Sequence, residues 1–184
     1  MKFTLKDYQE DAVQDVLVNL KKAHKRWHED GDKHAFSLTA TTGAGKTVMA
    51  AAVFEALIFG DDDYNFEPDP GAVVIWFSDD PSLNEQSRFR LMEASDKLNI
   101  SDLVSVGSSF SRETFEPGKI YFLNTQKLSK NSLLVRGHDP DDPIVEKDER
   151  QMHIMPDLRS HSIWDTIQNT IEDPNLTLYL VLDE

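Results

Sequence analysis

Apolar residues recur at helical spacing from the start of the chain. Tyr8, Ala12, Val13, Val16, Leu17, Leu20 and Trp27 form one stripe and predict an amphipathic helix from about Asp7 to Trp27. A short apolar run, Ala35 to Ala40, reads as a buried strand that enters a turn with two glycines. A second helical pattern then runs through Met49, Val53, Ala56 and Leu57. Ala72 to Phe77 is a continuous apolar strand of the kind buried on both faces. Pro81 and Ser82 introduce a helix from Leu83 to about Leu98, followed by strands at Leu103–Val106 and Ile120–Leu123. From Lys130 to about His161 the pattern is weak and polar, with Pro140, Pro143 and Pro156, and reads as a loop insertion at 130–160. A helix from His161 to Glu172, with Ile163, Trp164, Ile167 and Ile171 on its apolar stripe, precedes a last strand, Leu178 to Leu182. On that stripe Trp164 is expected to pack in the core. Strands alternating with helices, without hairpin signals, predict an α/β domain around a parallel sheet.

Composition narrows this picture only a little. The 184 residues suffice for one domain with a proper core, and there is no cysteine, which excludes disulfides and thiol chemistry. No run reaches the ~18 apolar residues of a membrane span, and no signal-peptide pattern opens the chain, so a cytoplasmic protein is expected. The net charge of −14, from 19 basic and 33 acidic side chains, argues against a broad basic nucleic-acid face. The acids cluster in two Pro-containing segments, Asp61 to Asp69 and Asp139 to Glu149, both expected to be solvated loops. Lys21, Lys22, Lys25 and Arg26 read as a solvated helix end rather than a nucleic-acid contact. His24 and His28, at i and i+4, read as a solvated pair rather than a metal site.

The chemistry is concentrated in Ala40-Thr41-Thr42-Gly43-Ala44-Gly45-Lys46-Thr47. Glycines at 43 and 45 let the backbone bend its N–H groups toward polyphosphate oxygens, and the helix that follows points its positive dipole end at the same anion. Lys46 adds a mobile charge for the β- and γ-phosphates, and the Thr47 hydroxyl is placed to ligate a bridging Mg2+. The pattern G-x-x-x-x-G-K-[ST] is met except at its first position, which is Ala40. The last strand ends in Asp183-Glu184, the expected partner in ATP hydrolysis: Asp183 for magnesium, Glu184 for the attacking water.

With these motifs in place, the chain resembles the first motor lobe of superfamily 2 helicases and translocases, and more closely the Res subunits of type III restriction enzymes. Leu5 to Val13 is similar to the opening Q motif, Thr39 to Thr47 to motif I, Phe77 to Gln86 stands at motif Ia, Asn124 to Leu128 at a motif Ib-like position, and Leu180 to Glu184 at the start of motif II. The resemblance implies a RecA-like P-loop NTPase fold, a three-layer sandwich with a mainly parallel sheet. It implies ATP and Mg2+ as cofactors, with Thr42, Gly43, Ala44, Gly45, Lys46 and Thr47 at the phosphates and Gln9 at the adenine edge. It also implies Ser78 and Thr125 near a nucleic-acid backbone, whose phosphates such motors hold with hydroxyls and backbone N–H groups as well as basic side chains. DNA and a modification (methyltransferase) subunit are the implied partners.

Residues 1–184 are thus expected to form one ATP-binding lobe, with the Q-motif helix region at 1–34 and the P-loop core at 35–184. The family's motif III strand lies between the P-loop and motif II strands. That strand, the second lobe with its arginine finger and any nuclease domain are not in the sequence, so the chain is expected to be a fragment and a poor ATPase alone. A type I restriction motor, another superfamily 2 helicase and a regulatory P-loop domain that does not translocate are the alternatives. A small-molecule kinase fits less well, because Glu184 beside Asp183 suits water activation.

Overall fold

The computed structural model describes residues 1–128, 132, 134, 135 and 160–183. Most of the expected insertion at 130–160, including the second acidic segment, lies outside them, as does Glu184. Four helices, α1 (Asp7–Asp30), α2 (Lys46–Phe59), α3 (Pro81–Ala94) and α4 (Ile163–Glu172), surround four strands, β1 (Ala72–Ser78), β2 (Leu103–Ser105), β3 (Lys119–Asn124) and β4 (Thr177–Leu182). The strands form one sheet in the order β2-β3-β1-β4, and every pairing is parallel. The expected α/β class and parallel sheet are therefore present, consistent with a RecA-like fold.

The two faces of β1 and β3 nucleate two cores, because successive side chains of a strand point to opposite sides. Val74, Trp76, Ile120 and Phe122 meet α1, α2 and α3 on one side. Val73, Ile75, Tyr121 and Leu123 meet Phe115, Leu134 and Ile163 on the other. The middle of helix α2, from Ala51 to Leu57, is buried and carries one acid, Glu55. Its carboxylate accepts from the Met1 ammonium (3.0 Å), the Asp96 N–H (3.0 Å) and the Ser95 hydroxyl, partners that compensate the burial.

The helices stop where their ends are chemically closed. Gly31 and Gly60 end α1 and α2 with φ of 72° and 76° and donate to Trp27 O and Ala56 O. Asp80 caps α3, accepting from Ser82 N–H at 2.8 Å ahead of Pro81 at the first helical position. The backbone and hydroxyl hydrogen bonds from Ser82 hold the Asp80 carboxyl below its ordinary value. Ser162 and Asp165 form a reciprocal capping box on α4.

Three expectations are corrected here. The strand expected at Ala35–Ala40 is not formed: the segment is irregular, largely exposed and paired with no strand among the described residues. An apolar run becomes a strand only where a neighbour accepts its ladder hydrogen bonds. Trp164 is 48% exposed, not core; the buried positions of α4 are Ile163, Thr166 and Thr170. The threonines tolerate burial because their hydroxyls donate to the Ser162 and Thr166 carbonyls, at 3.1 and 2.7 Å. The first acidic segment is not wholly a solvated loop. Asp69 is largely covered, with Oδ1 accepting from Gly71 N–H at 2.9 Å and Oδ2 from the Tyr179 hydroxyl at 2.9 Å.

Candidate nucleotide-binding site

Helix α2 runs antiparallel to β1. The Leu57 carbonyl near its end accepts from Asp69 N–H before β1 starts, while Phe54, a turn earlier, stacks edge-on at 6.0 Å against Trp76, late in β1. The amino end of α2 therefore lies at the carboxyl edge of the sheet, where parallel α/β sheets place their ligands. Residues 40–47 make the turn into it. Gly43 and Gly45 both have φ of 85°, a conformation that a Cβ would strain. The Gly45 carbonyl accepts from Val48 and Met49 N–H at 2.9 and 3.0 Å and starts the helix. The amides of Gly43, Gly45, Lys46 and Thr47 have no acceptor among the described residues. Four unclaimed N–H groups at a helix amino terminus make an anion cradle.

The side chains agree with that reading. Lys46 is exposed and makes no ion pair among the described residues; Thr47 is half-buried beneath it. Thr39 to Ala44 line an open depression of about 490 Å³, closed on one side by Tyr8. Ala40, at the position where the usual pattern has glycine, packs against the α1–α2 side of the core.

Two side chains of α1 brace the turn. Gln9 is 8% exposed; its Oε1 accepts from Lys6 N–H at 3.0 Å and its Nε2 donates to the Ala44 carbonyl at 2.9 Å. The Tyr8 hydroxyl donates to the same carbonyl at 3.1 Å. A Cβ at position 45 would stand 2.5 Å from Gln9 Nε2 and push that amide aside, so glycine here serves the brace as well as the φ. Gln9, expected at the adenine edge, here commits both ends of its amide to the protein.

Asp183 follows β4 at the same edge. Its N–H donates to the Phe77 carbonyl at 2.9 Å, and its Oδ2 lies 3.4 Å from the Ser87 hydroxyl of α3. No group of three or more His, Asp or Glu side chains among the described residues is arranged as a metal site. Thr47 and Asp183 carry oxygen donors of the kind Mg2+ takes, an ion that keeps water and is held by one or two protein oxygens with substrate phosphates rather than by an all-protein cage.

The two residues expected at a nucleic-acid backbone are placed differently from each other. Ser78 is buried, and its single O–H is shared between Asn84 Oδ1 (2.8 Å) and the Asp80 carbonyl (3.0 Å). It fastens the turn from β1 into α3. Thr125 is exposed beyond β3, and its hydroxyl donates to Asp79 Oδ1 at 2.7 Å. Asn124 ties the two loops together, donating to the Asp79 carbonyl at 2.8 Å and accepting from Gln126 N–H at 2.9 Å. Sequence reasoning passed over Asn84 and Ser87. Their signal was polar residues at i and i+3 on the same face of α3 as Leu91 and Ala94, all four buried.

At the opposite edge the histidine pair is not merely solvated, which corrects that expectation. His24 Nε2 lies 3.6 Å from Asp69 Oδ2, His28 Nε2 lies 3.1 Å from the Thr177 hydroxyl, and the two rings are 4.3 Å apart. Burial lowers the His24 pKa and the neighbouring His28 lowers it further, against the opposing pull of Asp69. Helix α1 therefore spans the sheet from the cradle to the amino edge. No helix among the described residues is long and apolar enough to cross a membrane.

A family model, "Type III restriction enzyme, res subunit", matches residues 2–184. Neither the curated proteins nor the solved structures contain a match to the chain. On a match of that extent the chain belongs to the family of type III restriction enzyme res subunits, a family of helicase-like ATPase motors.

Proposed function

We propose that this chain is the ATP-binding and hydrolysing lobe of a DNA translocase or helicase, the restriction subunit of a type III restriction–modification system that works in the cytoplasm with a modification subunit. The observation that carries the reading is the cradle: unclaimed amides at Gly43, Gly45, Lys46 and Thr47 on the amino end of α2, at the sheet edge that also holds Asp183. Lys46 stabilises charge on the transferring phosphoryl group, and Thr42 to Gly45 hold the phosphates through the backbone. Thr47 and Asp183 would hold Mg2+, which would supply positive charge against the phosphates. Glu184, outside the described residues, orients or deprotonates the attacking water. Gln9 keeps Lys6 and Ala44 as partners and offers the second N–H and second lone pair of its amide to the adenine edge, and Thr125 lies on the nucleic-acid side.

A second reading is a nucleotide-binding regulatory lobe that does not move on DNA. It draws support from Ser78, whose hydroxyl is buried and engaged, and from Thr125, whose hydroxyl is held by a carboxylate. ATP turnover by the protein that carries this chain, with and without duplex or single-stranded DNA, separates the two. The translocase reading expects stimulation by DNA, abolished in Lys46→Ala together with a loss of ATP affinity of about a hundredfold, the worth of a charge-assisted bond. ATP binding without stimulation by any DNA supports the regulatory lobe instead.

A further inference from the structure

The peptide between Ala44 and Gly45 has one end on each side of the site. A trans peptide is planar, with its C=O and N–H pointing in opposite directions. The carbonyl end, Ala44 O, receives two donors from one turn of α1, the Tyr8 hydroxyl at 3.1 Å and the Gln9 amide at 2.9 Å. The amide end, Gly45 N–H, has no acceptor among the described residues and belongs to the cradle. Pinning the carbonyl toward α1 thus aims the Gly45 N–H away from α1, among the other unclaimed amides. At a glycine with φ of 85°, where no Cβ restricts the backbone, the peptide depends on such partners to keep its orientation.

We propose that Tyr8 is a positioning residue of the nucleotide site: its hydroxyl, acting with Gln9 on the Ala44 carbonyl, holds the Ala44–Gly45 peptide in the orientation that binds phosphate. Tyr8 touches no phosphate in this arrangement. Its ring borders the same depression as Thr39 to Ala44, and half of its surface is exposed, so the hydroxyl can be removed without opening the core. The ligand class follows from the mechanism. What Tyr8 favours is polyphosphate, whatever base is attached.

The inference rests on the reading of residues 40–47 as a phosphate cradle, and the test keeps the two apart. Calorimetric Kd values for ATP and for inorganic tripolyphosphate, each with magnesium, are measured on the full chain, on Tyr8→Phe and on Lys46→Ala. Tyr8→Phe is expected to weaken both ligands by the same factor, about fivefold, the ordinary worth of one neutral hydrogen bond. Its thermal midpoint stays at the value of the parent chain. Wild-type affinity of Tyr8→Phe for both ligands overturns the proposal, as does weakening of ATP alone, which assigns the hydroxyl to the base or ribose. Absence of tripolyphosphate binding by the parent chain, with Lys46→Ala indistinguishable from it, overturns the cradle itself.

Discussion

β1 and β4 lie side by side and carry nearly equal apolar runs, Ala72-Val-Val-Ile-Trp-Phe and Leu178-Tyr-Leu-Val-Leu, yet they live in different surroundings. β1 has a strand on each side and a packed layer on each face, so nearly all its residues are buried. Among the described residues β4 has one neighbouring strand, and Leu180 and Leu182 on it are 59% and 77% exposed. The irregular segment 35–40 behaves like β4, with Phe36 and Leu38 exposed. Hydrophobic effect and ladder bonding reward an apolar strand only as far as neighbours remove it from water. Among the described residues, the part built on β1 and β3 is covered on both faces, whereas β4 and residues 35–40 are the less covered part.

Substitutions that keep the same chemistry on both sides would break this comparison if they cost the same. Phe122→Ala, in the packed half between Trp76 and the α-helical layer, is expected to lower unfolding free energy by about 3–5 kcal/mol, read as a shift in the urea midpoint. Equal tolerance of this change and of changes on β4 would show that the two halves share one core.

An intermediate effect is expected at the seam where α1 meets the amino end of β4. The folded His24 has a pKa below its ordinary 6.5, so the unfolded chain takes up a proton first as pH falls. His24 therefore contributes stability that is fully present above pH 6.5 and is lost as pH falls toward the folded value. His28 opposes protonation and Asp69, held by Tyr179, favours it; the balance lies with burial and His28. Urea midpoints at pH 8 and 5.5 should fall toward acid in the parent chain, and less steeply in His24→Gln. An equal slope in both would remove this histidine from the account.

The smallest effect is expected on the open side. Leu182→Thr exchanges an exposed apolar side chain for a β-branched polar one and should change stability by less than about 0.5 kcal/mol in the full chain. A loss as large as that of Phe122→Ala would mean that Leu182 is covered in solution.

Much of the molecule was legible before any coordinates. The helices at 7–30, 46–59, 81–94 and 163–172 and all four strands follow from apolar periodicity, with ends shifted by a few residues where caps such as Gly31, Asp80 and Ser162 close them. The turn into α2 is legible because Gly-x-Gly-Lys-Thr serves the backbone itself: the φ of 85° at Gly43 and Gly45 is a local property. Trp164 lies on the apolar stripe of α4 and is nonetheless half-exposed, while Thr166 and Thr170 enter the core by bonding their hydroxyls to helix carbonyls.

By itself, then, the sequence determined the four helices, the four paired strands, the parallel α/β class and the glycine turn into α2, since each depends on residues close together in the chain. Tertiary structure alone decided that Ala35–Ala40 stays unpaired among the described residues, that Glu55 is buried under four donors, that Asp69 gathers Tyr179 and His24, and that Tyr8 and Gln9 both hold Ala44. Each of these joins residues distant in the chain, and hydrogen-bond partners and burial are set by which surfaces meet, which no local pattern encodes.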